Sequence, residues 1–516
     1  MTAMRIGTTH IEFARLPGEV AVWQARVDAD QLLEFAAAAK TGGGRFVSLW
    51  GTDERDRGQG YALHVAVAVA EGLALLHLPL PAEKPEYPDL ATLFPAADRL
   101  QRATADLLGI RAAGGDDRPW LRHANWPADF FPLRRDCDAS RSFAPVPEHY
   151  AYVHVDGEGV HEIPVGPIHA GIIEPGHFRF SIVGEKVLRL EERLGWKHKG
   201  VDKRFEQMPL AEGHRLAGRI SGDSTVAYAW AYCLAAEALT ASAVPPRGQG
   251  LRALLLERER VANHLGDLGY LGNDAALAFG LSQFMRLKED WLRLSAELFE
   301  HRLLMDCIVP GGVAIDIDVQ GAARLRAQCA DIRREVQVLR HIYDEHAGLQ
   351  DRFLTTGRLP PQLAGELSVS GPAGRASSQA WDLRLQNPIA PYDQLDVQMA
   401  THRAGDVAAR VTVRFEEVFE SLRLIEAILA RLPAGPCHAA LGSCSDGLGL
   451  GWTEGWRGDV LVALQADASG RIRRCHCHDP SWAIWPALEH AVMGNIVPDF
   501  PLINKSFNLS YSGVDL

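Results

Sequence analysis

Five stretches between residues 224 and 432 limit the folds open to this chain more than any other feature. Residues 224–240, 251–268, 281–307, 322–346 and 406–432 repeat apolar side chains at spacings of three and four, the signature of helices. Several are nearly apolar all round, with no polar stripe to offer to water, so they are expected to bury one another in a bundle. A chain of 516 residues also exceeds one ordinary core, and more than one domain is expected.

Strands flank the bundle. Val47-Ser48-Leu49-Trp50 and residues 62–70 and 73–80 have strand length and content. The most apolar run, residues 61–81, is interrupted by His64, Glu71, Gly72 and His77. Burying those groups in hydrocarbon is costly, so two strands joined near Ala70-Glu71-Gly72 are expected rather than a membrane span. Residues 93–108 have helical spacing, with Pro95 where a first turn tolerates it. Further on, residues 178–190 read as a hairpin turning at Gly184-Glu185-Lys186, and residues 459–465 and 471–478 as another. The expected fold class is multidomain. An α+β domain spans residues 1–140, a polar, Pro-containing linker residues 141–160, and a mainly α bundle with small β-sheets residues 161–516.

The net charge of -12 leaves no basic excess for phosphates, which excludes a nucleic-acid partner. Eight irregularly spaced cysteines suit a reducing compartment. Residues 1–13 contain polar and charged residues throughout and carry no apolar signal core. No Gly-x-Gly-x-x-Gly or Walker pattern supports nucleotide binding. Cys475-His476-Cys477-His478 would alternate sulfurs and imidazoles across a strand, a poor arrangement for one zinc ion.

Two separated motifs carry the chemistry. One is Arg219-Ile220-Ser221-Gly222-Asp223-Ser224; the other is Asp499-Phe500-Pro501-Leu502-Ile503-Asn504-Lys505-Ser506-Phe507-Asn508-Leu509-Ser510-Tyr511-Ser512-Gly513. By residue type alone, Ser221 and Ser224 read as caps of the following helix, and Arg219 as a surface or helix-start cation. Together the motifs resemble the nickel–iron hydrogenase large subunit, with its Arg-x-Cys-Gly-x-Cys and Asp-Pro-Cys-x-x-Cys. The four thiolate positions fall on Ser221, Ser224, Ser510 and Gly513. Serine is a hard donor that keeps its proton and glycine has no side chain, so no metal is expected there. The resemblance also implies that Arg219 lies near an iron–sulfur cluster of an adjoining subunit. Hydrogenase precursors carry a tail beyond the last cysteine; only Val514-Asp515-Leu516 follow here.

Residues 164–180 hold His169, Glu174, His177 and Arg179 among glycines and prolines. A carboxylic acid and an imidazole three residues apart on a fixed loop can relay protons near neutral pH. The plain alternative is that both histidines hydrogen-bond to loop backbone. This segment resembles that of energy-converting hydrogenases, which implies proton transfer at Glu174. It is also similar to the quinone-site loop of the large hydrophilic subunit of complex I, which implies quinone contact at His177. Asn263-His264 followed by Asp274 extends that likeness: the resemblance implies that Asp274 supports the histidine, while the plain reading makes it a turn or cap residue. At Gly222 complex I places a tyrosine, so the tyrosine half of the pocket is missing. Tyr87-Pro88, Phe94-Pro95, residues 106–110, Trp126-Pro127 and residues 131–136 resemble the small hydrophilic subunit of complex I, fused ahead of the large one.

The resemblance thus implies the peripheral large subunit of a complex-I-like, hydrogenase-related membrane oxidoreductase complex. His177, Glu174, Asp274 and Arg179 would be its catalytic set, with His169, His177 and Arg219 at the cofactor. No cofactor is expected to be held directly apart from a quinone acceptor, with an iron–sulfur cluster in a partner. The implied partners are an iron–sulfur small subunit and membrane-embedded ion-translocating subunits, placing the chain on the cytoplasmic face of the cell membrane without a span of its own. A purely structural or coupling subunit is the alternative, and an active hydrogenase the least favoured reading.

Overall fold

The computed structural model describes residues 3, 4, 10–138, 140–147, 149–171 and 173–516. Residues 1, 2 and 5–9 of the leader reading over residues 1–13, Ala139 of the front domain, Glu148 of the linker and Ile172 of the histidine loop lie outside the described residues.

The front sheet explains why its strands read as unbroken apolar runs. Its six strands lie in the order Ala3–Met4, Phe13–Arg15, Val22–Arg26, Gly72–Leu80, Tyr61–Val69, Arg45–Asp53. Only the Val22–Arg26 and Gly72–Leu80 pair is parallel. Leu73 and Leu75 join the core of the helical bundle, while Ala74 and Leu76 join a second core with Leu32 and Phe35 of the helix Ala29–Thr41. A sheet covered on both faces has no reason to alternate with polar residues.

The front sheet is tied to a rear sheet of Gly447–Gly455, Gly458–Ala466 and Ile472–His478. Trp50 stacks between His64 and His476, with centroids 5.1 and 4.9 Å away. Arg45 pairs with Asp459 at 2.7 Å. Strand alternation sends the Cys475 and Cys477 sulfurs, 3.7 Å apart, into the bundle core, while His476 meets Ser48 at 2.9 Å.

The long bundle helices are Thr225–Thr240, Pro246–Asp274, Ala278–Phe299, Val319–Glu345 and Val407–Arg431. Every residue of Thr225–Thr240 is buried. It reaches the rear sheet through glycine, since a Cβ on Gly451 would come within 1.8 Å of the Ala231 carbonyl oxygen. Among the described residues, no helix is long and apolar enough to cross a membrane.

Three local features depart from the sequence reading. Pro246–Asp274 outruns the expected 251–268, so Asp274 is a helical residue on the same face as Asp267 and Tyr270 rather than part of a turn. Ala278–Phe299 stops short of 307 because Glu300 adopts φ 59°, and the chain then turns to bring Asp306 to Arg219. The cap of Thr225–Thr240 is not a serine hydroxyl. Ser224 occupies the cap position without a side-chain cap bond, and Glu259 instead accepts the Val226 and Ala227 N–H groups at 2.6 and 3.2 Å.

A third sheet, Val160–Val165, His177–Val183 and Lys186–Arg193, positions the site. Its Phe178 and Phe180 pack edge-on against Phe500, at 5.1 and 4.9 Å. That contact sets the helix Phe500–Phe507 beside the loop joining the first two strands.

Candidate functional site

A cleft of about 880 Å³ opens where the histidine loop, the Ser221–Asp223 turn, the end of Pro246–Asp274 and the C-terminal segment meet. Val165, Ile173, Phe500, Pro501 and Leu509 give it apolar walls, and a few polar groups project between them.

The four positions expected to have lost thiolates converge on this locus. Ser221 Oγ donates to Asp223 Oδ1 at 2.8 Å and lies 3.0 Å from Ser510 Oγ. Ser510 Oγ accepts the Gly513 N–H at 2.9 Å. Ser224 Oγ accepts from Arg457 Nη1 at 3.2 Å. At Gly513 the space for a side chain is already taken, because a Cβ would lie 2.4 Å from Asp479 Oδ2. Asp479 is fixed there by the Tyr228 hydroxyl at 2.8 Å and the Ser481 N–H at 2.9 Å. Three protonated hydroxyls and a filled fourth position do not fit a soft nickel–iron centre.

An ion pair sits beside those hydroxyls. Arg457 Nη1 donates to Asp223 Oδ1 at 2.8 Å, Nη2 to the other carboxylate oxygen, and Nε to the Asn508 carbonyl at 2.6 Å. Its guanidinium lies 4.0 Å from the centroid of the Trp456 ring. Burial raises the Asp223 pKa, but Arg457 and the Ser221 hydroxyl outweigh it and hold the carboxyl down at about 2. Part of the Asp223 side chain still faces the cleft, with 38% of it exposed, so water screens that attraction.

The helical floor presents Asp267, Tyr270 and Asp274. Asp267 Oδ2 accepts from Arg414 Nε at 2.9 Å, and Oδ1 from Asn508 Nδ2 at 2.7 Å. Lys505 Nζ reaches the same Oδ1 at 3.2 Å and lies 4.9 Å from the Tyr270 ring centroid. Burial pushes the Asp274 carboxyl up, against the pull of Lys505 and a hydrogen bond from Asn273.

The histidine loop divides its residues. His169 and Glu174 line the cleft; His177 and Arg179 are not among its lining residues. His169 Nδ1 is 3.3 Å from the Pro167 carbonyl oxygen, and Glu174 Oε2 accepts the Ser512 N–H at 3.0 Å. His177 is buried, with Nδ1 3.2 Å from the Gly166 carbonyl oxygen and its ring 5.3 Å from that of Tyr152. Arg179 pairs with Glu162 at 2.7 Å and stacks on Tyr152 at 4.1 Å. Arg219 is exposed and grips Asp306 through two 2.6 Å bonds.

The structure brings together His169, Glu174, Asp274, Ser221 and Ser510. It adds Asp223, Arg457, Lys505 and Asp479, which sequence reasoning passed over. Asp223 and Lys505 lay within stretches already singled out, but neither residue type matched a ligand pattern. Arg457 lies in the turn between the first two strands of the rear sheet and Asp479 directly after its third, and only the fold brings them to this locus.

Residues 274–445 match the family described as the respiratory-chain NADH dehydrogenase 49 Kd subunit, and residues 25–142 the 30 Kd subunit of the same enzyme. Formate hydrogenlyase subunit 5 of Escherichia coli is 31% identical over 483 residues, covering 92% of this chain and 85% of that protein. The C/D subunit of the NADH-quinone oxidoreductase of Bacteroides thetaiotaomicron is 25% identical over 497 residues, covering 90% and 93%. Among solved structures, a chain of the membrane-bound sulfane sulfur reductase, an archaeal respiratory membrane complex, superposes with a TM-score of 0.66 at 24% identity. That match spans 70% of this chain and 100% of the other, and it shows the fold alone.

Proposed function

The chain belongs to the family that joins complex I 30 Kd-type and 49 Kd-type subunits and includes formate hydrogenlyase subunit 5 of Escherichia coli, and on that premise we propose that it is the large hydrophilic subunit of a complex-I-like, hydrogenase-related oxidoreductase complex. Its cleft takes an electron acceptor of the quinone class where hydrogenases hold nickel and iron. One observation carries this reading: a cleft of about 880 Å³ persists at a locus whose own donors are hydroxyls. Apolar walls with a few converging polar groups are what a ring-shaped carbonyl ligand needs.

Reduction of a quinone to a quinol consumes two electrons and two protons. The electrons come from a reduced iron–sulfur cluster in a partner subunit, docked on the side of the Arg219–Asp306 pair. Asp274, held towards its protonated form by burial, supplies one proton at the floor of the cleft. The second enters through Glu174, which stands between the loop and the C-terminal turn. His169 holds its Nδ1–H on the Pro167 carbonyl, so a proton taken up at Nε2 is available to an acceptor oxygen. His177 braces the loop from behind through the Gly166 carbonyl, and Arg179 steadies the same sheet through Glu162. Membrane-embedded partners couple this reduction to ion movement and hold the chain at the cytoplasmic face of the cell membrane.

The test is turnover of the assembled complex with decylubiquinone. Asp274→Ala and His169→Ala are each expected to lower it by about a hundredfold, the usual weight of a positioned proton donor. His177→Ala is expected to act more weakly, by loosening the loop. If turnover and ion transport survive all three changes, the chain is a scaffold or coupling subunit and the redox reading falls.

A further inference from the structure

Two cations lining the cleft are not paired alike. Arg457 is matched by Asp223. Asp267 is answered twice, by buried Arg414 and by Lys505, while Asn508 occupies part of the same carboxylate. A further cation, Lys288, lies near enough to act on both Asp223 and Asp267. Among the described residues lining the cleft, Lys505 is the cation whose carboxylate partner, Asp267, already has a buried arginine of its own, and it also acts on Asp274.

Gly222 lines the same cleft, and a Cβ there would meet nothing within 4 Å. The wall is therefore open at the position where the resemblance to complex I implies a tyrosine. Tyr511 cannot fill the role, because its hydroxyl is sealed from solvent. Lys505 can. It rides on the helix Phe500–Phe507 at the edge of the cleft, about a quarter exposed, on a flexible stem with three rotatable N–H donors.

We propose that Lys505 is the hydrogen-bond donor to the acceptor's oxygen, replacing the tyrosine that Gly222 lacks. This rests on the quinone reading of the cleft. A charged donor favours an oxygen that gains negative charge on reduction, so the site selects ligands bearing a carbonyl or similar acceptor oxygen. Swinging Lys505 off Asp267 leaves that carboxylate held by Arg414 and Asn508, so the movement exposes no unpaired buried charge.

Equilibrium dialysis of decylubiquinone against the purified complex tests the assignment. Lys505→Met is expected to raise Kd about tenfold or more, the weight of a hydrogen bond from a charged group. Lys505→Arg keeps a charged donor and is expected to stay within about threefold. Gly222→Tyr in the Lys505→Met background is expected to restore part of the affinity, because the new hydroxyl enters the open space. Should Lys505→Met unfold the chain, Lys505→Gln decides: a Kd raised several-fold supports the assignment, and a Kd equal to that of the unchanged complex overturns it. Tight binding by the unchanged complex with equal Kd for Lys505→Met overturns the assignment and leaves the cleft reading intact. No binding by the unchanged complex overturns both.

Discussion

Glu259→Gln is expected to reverse its stability rank against the unchanged chain as pH rises. Glu259 is buried beneath the Ser221–Ser224 turn and caps Thr225–Thr240 with both carboxyl oxygens. Burial pushes its pKa from 4.5 up to about 8, two backbone N–H bonds pull it down, and Asp223 pushes it up further. The folded group thus keeps its proton while the unfolded group loses it. Its contribution is fully present below pH 4.5 and is lost as pH rises through about 8. The loss runs at roughly 1.4 kcal/mol per pH unit, on the order of 5 kcal/mol across the window. Glutamine carries no such penalty, although its amide nitrogen faces one of the helix N–H groups and costs about 1 kcal/mol. At pH 4 the variant is expected to be the less stable, and at pH 9 the more stable by about 2 kcal/mol or more. Urea unfolding at a series of pH values reads both. Parallel curves would mean that Glu259 does not hold its proton in the folded chain.

Gly513→Cys is expected to destabilise the chain by about 3 kcal/mol rather than to restore a ligand. The new Cβ would press on Asp479, which cannot yield without breaking its bonds to Tyr228 and Ser481. Restoring all four thiols is therefore expected to leave nickel unbound, whereas adding Asp479→Ala opens the fourth position. Denaturant midpoints and equilibrium dialysis with nickel ions check both parts. Tight nickel binding by the four-thiol chain with Asp479 in place would show that the locus yields more readily than the packing implies.

What the sequence disclosed followed local periodicity. The Tyr61–Val69 and Gly72–Leu80 strands, the Lys186–Arg193 hairpin and the long helices were legible because their apolar spacing is local. Ala29–Thr41 went unread, although Asp28 and Gln31 form a capping box at its start. The end of Ala278–Phe299 was invisible because it depends on a left-handed Glu300, an unusual residue for that role. In the site, His169, Glu174 and Asp274 could be named from pattern, since each belongs to a motif. Arg457 and Asp479 could not, because their roles follow from long-range packing: Asp479 explains why position 513 is glycine, and Arg457 neutralises Asp223 across 234 residues of chain. Lys505 matched no ligand pattern, and only the fold sets it over Tyr270.

Elemental analysis of the intact complex, in preparations that reduce decylubiquinone, tests the central claim most directly. A working pocket that has exchanged its sulfur ligands for hydroxyls and Asp479 predicts turnover with no stoichiometric nickel. One nickel per chain, lost in step with activity on chelation, would contradict it.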